Sequence, residues 1–261
     1  MSQLSSLVSQ YATPHLTSVS PTAPLAEVHK LFLTHRISSV PVVGAAGEPL
    51  GVISRTDLLR IGRVTARRGS GGAVLDLPAR EVSKVMTVGV ETVGGSSTVG
   101  HAARVMIEKR LHRLYVAHEG RLTGVFSTKD LLVAIKDSRQ ATRVDQHMST
   151  PAFEIPATAP LALGLERLGN AHVSGLVVVD EHERPIGTFT QLDALEARDL
   201  PGETPLEIAM SHAMLCLHIS TPLFRAAAQA SETRARRVLC VDDRKVCGVM
   251  TGLDFARAVG D

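Results

Sequence analysis

Four short motifs of the chain combine a glycine, a hydroxyl side chain and a carboxylate at a fixed spacing. In each motif a glycine is followed three residues later by serine or threonine, and three residues after that by aspartate. The serine or threonine and aspartate pairs are Ser54 and Asp57, Ser127 and Asp130, Thr190 and Asp193, and Thr251 and Asp254. At a helix start, this spacing makes the hydroxyl an N-cap and lets the carboxylate satisfy a free backbone N–H. The same helix start attracts phosphate, and the carboxylate can accept hydrogen bonds from ribose hydroxyls, so capping and ligand binding both remain open.

The positive charge that a phosphate needs is unevenly distributed among the motifs. Arginine suits this role because its planar guanidinium can donate to two phosphate oxygens. Residues 1–140 carry 17 Lys+Arg against 10 Asp+Glu, a net charge of +7, whereas residues 141–261 carry 11 against 16, a net charge of −5. Basic residues directly before the apolar runs of the second and fourth motifs are His112, Arg113, Arg236 and Arg237, whereas the first and third motifs have only Arg36 and His172 nearby. We therefore predict the strongest site at the second motif, from His112, Arg113, Ser127 and Asp130.

Each motif lies in a repeat with the same order of predicted elements. An apolar segment with helical spacing precedes a Val-rich run, a turn follows, and the motif then begins a second helix. From the third residue of the apolar run to the aspartate, the separations are 15, 14, 15 and 14 residues, so alternate repeats resemble each other. A repeat of about 55 to 60 residues is too small to bury its sheet alone, and we predict that the repeats pair.

The predicted fold class is α/β (α+β), with four β-α-β-β-α repeats that form two pseudo-twofold modules. We place repeat 1 at residues 12–62, repeat 2 at 81–136, repeat 3 at 144–199 and repeat 4 at 205–260. Residues 63–80 combine basic residues with glycines and are predicted to form a flexible linker. We also expect a homodimer, because exposed apolar helix faces are most often covered by twofold assembly.

The repeated motif resembles that of the cystathionine-beta-synthase (CBS) domain family. The resemblance covers nearly the whole chain, and a Met-Ser or Met-Thr dipeptide opens three repeats, at Met86-Thr87, Met148-Ser149 and Met210-Ser211. It implies two Bateman-type pairs whose clefts bind AMP, ADP, ATP or a related adenosyl ligand, in a regulatory protein with no other cofactor. It further implies that the four aspartates hold ribose and that the four hydroxyls face phosphate. Arg36, Arg236 and Arg237 are further candidates, although repeats 1 and 3 depart from the family pattern because they lack the basic pair.

The sequence offers less support for other classes of function. It contains no GxSxG, Walker or zinc-protease motif, and the repeats leave no room for a separate catalytic domain, which argues against an enzyme. Eleven histidines show no metal-ligand spacing, and the 3% aromatic content disfavours nucleic-acid binding. No apolar run approaches the ~20 residues that span a bilayer, so we expect a cytoplasmic protein without membrane contact. The alternative function is a ligand-free module for dimerisation or for docking on a regulated partner protein.

Overall fold

The computed structural model describes residues 4–14, 16–35, 37–66, 73–170, 175–197 and 200–260. Up to α4, the helices and strands are β1 (Thr13–Pro14), α1 (Leu25–His35), β2 (Ser39–Val43), β3 (Pro49–Ser54), α2 (Arg55–Ile61), β4 (Arg63–Ala66), β5 (Ala73–Asp76), β6 (Thr87–Val88), β7 (Thr92–Gly94), α3 (Val99–Glu108), β8 (Arg113–His118), β9 (Arg121–Ser127) and α4 (Thr128–Ser138). They continue with β10 (Glu154–Pro156), α5 (Leu161–Asn170), β11 (Gly175–Val179), β12 (Pro185–Thr190), α6 (Gln191–Glu196), α7 (Leu206–Ala209), β13 (Cys216–His218), α8 (Leu223–Thr233), β14 (Arg237–Asp242), β15 (Lys245–Thr251) and α9 (Gly252–Gly260).

Three repeats have the predicted order of strand, helix, strand, strand and helix. Repeat 2 consists of β7, α3, β8, β9 and α4, repeat 3 of β10, α5, β11, β12 and α6, and repeat 4 of β13, α8, β14, β15 and α9. In repeat 1 the first strand is reduced to a single parallel bridge between Val19 and Val42, after which α1, β2, β3 and α2 follow in order. The mixed α/β fold class is therefore confirmed.

The described residues divide into two compact units, each with its own hydrophobic core. One unit contains residues 6–98 and 113–130, and its core includes Phe32 of α1 and Ile53 of β3. The other unit contains residues 4–5, 99–112 and 131–260, and its cores include one that holds Leu161 of α5 and Phe189 of β12. Burial of apolar side chains is the main favourable contribution to folding, so these cores fix the hairpins that carry the motifs.

The hairpin that carries each motif has the same register in all four repeats. The third residue of the apolar run pairs with the motif glycine, and the register shifts directly after this pair. The four pairs are Val42 with Gly51, Val116 with Gly124, Val178 with Gly187, and Cys240 with Gly248. As a result, the motif serine or threonine is the last residue of a strand in every repeat, and a helix begins at the next residue.

Two short strands occur where the sequence predicts a linker. β4 and β5 pair in antiparallel orientation, from Arg63 opposite Asp76 to Ala66 opposite Ala73. Both strands contain β-branched residues, which favour extended structure and explain why strands form beside the glycines of this segment. Residues 67–72 lie outside the described residues, and the flexibility of this segment stays a prediction.

Candidate functional site

All four motif aspartates lie in the first turn of a helix and cap its N-terminus. In each repeat, aspartate Oδ2 accepts hydrogen bonds from the backbone N–H and the hydroxyl of the motif serine or threonine. The N–H distances are 2.9 Å at Ser54, 2.7 Å at Ser127, 2.8 Å at Thr190 and 2.6 Å at Thr251, and the hydroxyl distances are 2.6, 2.7, 2.6 and 2.6 Å in the same order. The predicted capping geometry is therefore present. It occupies one carboxylate oxygen and leaves Oδ1 as the oxygen that a ligand could use.

The surroundings of Oδ1 divide the four repeats into two groups. In repeat 1, Oδ1 of Asp57 accepts a hydrogen bond from Arg60 at 3.1 Å. In repeat 4, Oδ1 of Asp254 accepts one from the Ser149 hydroxyl at 2.6 Å and also contacts the guanidinium of Arg257. In repeats 2 and 3, Oδ1 of the motif aspartate accepts no hydrogen bond from any other residue that the structure describes. Arg60 and Arg257 are not among the predicted site residues, although both lie three residues after a motif aspartate.

Asp130 of repeat 2 combines burial with an available oxygen. Burial raises the pKa of Asp130 above its usual value, and the hydrogen bonds from Ser127 and the positive charge of Lys129 oppose this rise. A carboxylate that has lost water on one side is stabilised by any donor that replaces that water. Among the four motif aspartates, Asp130 at the start of α4 is thus the strongest candidate to accept hydrogen bonds from a ligand.

We predict that nucleotide affinity depends on the ionisation of Asp130. Ribose hydroxyls donate to the ionised carboxylate, so affinity should fall as the pH decreases through the pKa of Asp130 in the ligand-free protein, which is raised above 3.8. The measurement is the Kd for AMP across the acidic range, in the parent and in Asp130→Asn. The phosphate of AMP itself titrates near pH ~6 and contributes equally to both proteins. An identical pH dependence in the variant would exclude Asp130 as the titrating group.

The guanidinium of Arg113 contacts repeat 1. In the hairpin, the Arg113 backbone lies opposite Ser127, as expected for a residue that serves the second motif. The side chain, however, donates to the Ser38 hydroxyl at 2.7 Å and to the Ser39 carbonyl oxygen at 3.4 Å. The Ser38 carbonyl in turn accepts the N–H of Arg55, the first residue of α2, at 2.8 Å. Arg113 therefore brings positive charge to the start of a repeat 1 helix, and its contact with a ligand at the second motif stays a prediction.

Arg237 of repeat 4 has the corresponding position beside repeat 3. Its guanidinium carbon lies 3.0 Å from where a Cβ on Gly175 would be, so the Arg237 side chain lies directly against this residue of repeat 3. Burial lowers the pKa of Arg237, the charge of Arg236 lowers it further, and the negative charge of Asp193 opposes both effects. The repeats without a basic pair of their own thus receive an arginine from the other repeat of the pair.

Each motif glycine lies against the segment that opens the other repeat of its pair. A Cβ on Gly51 would lie 2.4 Å from the carbonyl oxygen of Thr87, at the opening of repeat 2. A Cβ on Gly124 would lie 2.8 Å from the carbonyl oxygen of Thr13, at the opening of repeat 1. Repeats 3 and 4 exchange the same contacts, at Gly187 with Ser211 (2.9 Å) and at Gly248 with Ser149 (2.7 Å). Glycine is required in the motif because the backbone of the other repeat occupies the space of a side chain.

The remaining predicted residues are distributed as follows. Arg36 and His172 lie outside the described residues, whereas His112 and Arg236 are exposed. Within the described ranges, no cluster of three or more His, Cys, Asp or Glu residues has an arrangement that could hold a metal ion. The helices described here are also too short or too polar for any of them to cross a lipid bilayer.

Comparison with known sequences identifies the family. A sequence model of the CBS domain matches residues 8–63, 82–137 and 144–199, which together exceed half of the chain. The chain belongs to the CBS domain family. Repeat 4 of this CBS domain protein lies outside the matched residues, yet it has the same element order, hairpin register and capped helix as the others.

Known relatives match about half of this CBS domain protein. Over 124 residues it is 28% identical to 5'-AMP-activated protein kinase subunit gamma-3 of Sus scrofa, a match that covers 46% of this chain and 23% of that subunit. Over 134 residues it is 34% identical to arabinose 5-phosphate isomerase KdsD of Pseudomonas aeruginosa, which covers 49% of this chain and 40% of the isomerase. The chain thus spans less than half the length of either relative.

Two solved structures share the fold over almost the whole chain. Protein MJ1225 of Methanocaldococcus jannaschii, a candidate archaeal homolog of g-AMPK, has a TM-score of 0.75 at 15% identity, over 97% of this chain and 99% of that one. An uncharacterized conserved protein from Pyrococcus horikoshii has a TM-score of 0.73 at 16% identity, over 97% of this chain and 100% of that one. At 15% and 16% identity, these comparisons show that the fold is shared.

Proposed function

We propose that this CBS domain protein is a regulatory protein that binds an adenine nucleotide at the start of α4 in repeat 2. The ligand is AMP, ADP, ATP or a related adenosyl compound. The observation that carries the proposal is the available Oδ1 of Asp130, a partly buried carboxylate whose Oδ2 is fixed by Ser127. Two adjacent ribose hydroxyls are suitable donors for an oxygen held in this way.

The phosphate would lie at the N-terminus of α4. This helix has 11 residues, and its first N–H groups and dipole favour an anion at that end. Lys129, in the first turn, is exposed and adds a positive charge that can approach a phosphate. Ribose and phosphate thus have separate partners within the four residues from Ser127 to Asp130.

The choice of adenine is supported by a relative. The kinase subunit that shares 28% identity over 124 residues belongs to a kinase named for activation by 5'-AMP. By analogy, AMP is the first ligand to test on this chain. Regulation would follow if AMP has a higher affinity for one arrangement of the protein than for another, because binding then shifts the populations.

We predict that AMP stabilises the folded protein against heat. A ligand that binds only the native state adds about 2.7 kcal/mol to the free energy of unfolding at ~100 times its Kd. For a chain of this size, that should raise Tm by roughly 5 to 10 °C. The measurement is a thermal-shift panel with AMP, ADP and ATP. The matched control is 2'-deoxy-AMP, which lacks one ribose donor to Asp130 and should stabilise less. The absence of a shift with all three nucleotides at millimolar concentration would favour a ligand-free docking module.

A further inference from the structure

We infer that Arg257 and Ser149 close the motif of repeat 4 to ribose, so that AMP binds at repeat 2 in preference to repeat 4. This inference rests on the proposed function, because it assumes that a motif carboxylate accepts the ribose hydroxyls. The motifs of repeats 2 and 4 are capped in the same way, and Arg257 and Ser149 decide which of the two is available to a ligand.

Asp254 has no oxygen left for a ligand. Its Oδ2 accepts the N–H and the hydroxyl of Thr251, both at 2.6 Å. Its Oδ1 accepts the Ser149 hydroxyl at 2.6 Å and contacts the Arg257 guanidinium, which also donates to the Ser149 oxygen at 2.9 Å. Only 1% of the Asp254 surface is exposed. The Ser149 hydroxyl and the Arg257 guanidinium therefore occupy the oxygen that a ribose would need.

The residue three positions after the motif aspartate differs among the repeats. It is Arg60 in repeat 1, Val133 in repeat 2, Glu196 in repeat 3 and Arg257 in repeat 4. Residues three apart lie on the same side of a helix, so an arginine at this position reaches the carboxylate of its own motif. Valine has no group that can hydrogen-bond to Asp130, which agrees with the available Oδ1 in repeat 2.

A ribose is a weak competitor for an oxygen that an arginine holds. Both an arginine and a ribose hydroxyl can donate to the ionised carboxylate, but only the arginine adds the attraction between two opposite charges. Displacing Arg257 would also leave the Ser149 hydroxyl in place against the same oxygen. AMP binding at repeat 4 would therefore have to break contacts that are stronger than those it forms.

The arginine of repeat 1 is a less complete barrier. The Arg60 side chain is 71% exposed and that of Asp57 is 14% exposed, whereas in repeat 4 the values are 47% for Arg257 and 2% for Asp254. Water weakens an exposed ion pair and can replace it when the arginine moves away. The closure is thus specific to repeat 4, where burial and the Ser149 hydroxyl add to the ion pair.

The first test replaces Arg257 with the residue found at this position in repeat 2 and also removes the Ser149 hydroxyl. Native mass spectrometry counts the AMP molecules bound per chain at saturating AMP. Arg257→Val with Ser149→Ala is expected to bind one AMP more than the parent, and the addition of Asp254→Asn is expected to return the parent number. A folded double variant, verified by its thermal transition, that binds no additional AMP would overturn the inference. So would a lower number in Asp254→Asn alone, because repeat 4 would then already bind AMP in the parent.

The reciprocal test places the arginine in repeat 2 and remains decisive if the double variant does not fold. Val133→Arg is made in an Asp193→Ala background, so that repeat 3 does not contribute, and the Kd for AMP is measured by calorimetry. We expect the Kd to rise roughly three- to tenfold, because the new guanidinium competes for Oδ1 of Asp130 as Arg60 does at Asp57. Val133→Met, which adds length without charge, should change the Kd less than about threefold. Equal effects of the two variants would contradict closure by charge.

Failure of the proposed function has a different signature from failure of this inference. A parent protein that binds no AMP would refute the proposed function, and with it the preference for repeat 2, but not the closure of repeat 4. In that case the Arg257→Val and Ser149→Ala double variant still decides whether repeat 4 is closed. AMP that binds to this variant and is lost with Asp254→Asn supports closure, and no binding by the variant overturns it.

Discussion

Replacing Asp130 with alanine is expected to weaken AMP binding at least about tenfold. The change removes the oxygen that accepts the ribose hydroxyls, and hydrogen bonds to a charged group contribute roughly 1.5 to 3 kcal/mol. A loss of 1.4 kcal/mol corresponds to a tenfold change in Kd. Calorimetric titration of AMP into parent and variant measures the effect. The effect should be the largest among single changes at the motif of repeat 2.

Asp130 also caps α4, so its two roles must be separated. Loss of the cap should reduce the free energy of unfolding by about 1 kcal/mol without ligand, which urea denaturation measures. The matched control is Asp137→Ala on the same helix, because Asp137 is exposed and lies in the last turn. That variant should bind AMP as the parent does. A stable Asp130→Ala protein with the affinity of the parent would show that the carboxylate does not contact ribose.

Replacing Gly51 with alanine is expected to destabilise the protein by about 1 to 3 kcal/mol, the usual cost of overpacking. The new methyl group would lie 2.4 Å from the Thr87 carbonyl oxygen and 3.0 Å from the Met86 sulfur. The Thr87 backbone cannot easily yield, because β6 pairs with β3 through Gly51 opposite Val88 and Val52 opposite Thr87. Urea denaturation of parent and variant measures the loss.

Gly94→Ala provides the comparison for this prediction. A Cβ on Gly94 would have its nearest neighbour, the Ser97 hydroxyl, at 3.5 Å, which is an ordinary van der Waals distance. Both glycines lie in strands of the same unit, so the two substitutions differ mainly in the space available. We expect Gly94→Ala to change the stability by less than about 1 kcal/mol. Equal stability of the two variants would contradict the close contact between repeats 1 and 2.

The repeats and their capped helices could be predicted because they depend on local sequence. The spacing from Ser127 to Asp130 specifies a cap within one helical turn, and the structure contains that cap. Alternating separations of 15 and 14 residues indicated that repeats of two kinds alternate. The contacts of Gly51 with repeat 2 and of Gly124 with repeat 1 agree with such a pair.

The composition of each site could not be predicted in the same way, because it depends on contacts between repeats. The sequence places Arg113 beside Ser127, but a long side chain can turn to either side, and its guanidinium contacts Ser38 of repeat 1. Ser149 lies 105 residues before Asp254, and only the folded pair brings their side chains together. The contact between Arg257 and Asp254 is easier to predict from the sequence, because residues three apart in a helix lie on the same side.

Native mass spectrometry of the purified protein, with and without added AMP, tests the central claim most directly. If a CBS repeat of this chain binds an adenine nucleotide through Asp130, the spectrum of the parent should show species heavier by whole AMP masses. The same species should decrease in Asp130→Ala. A parent spectrum with only the mass of the unliganded protein at millimolar AMP, ADP or ATP would contradict the claim and leave a folded module without nucleotide.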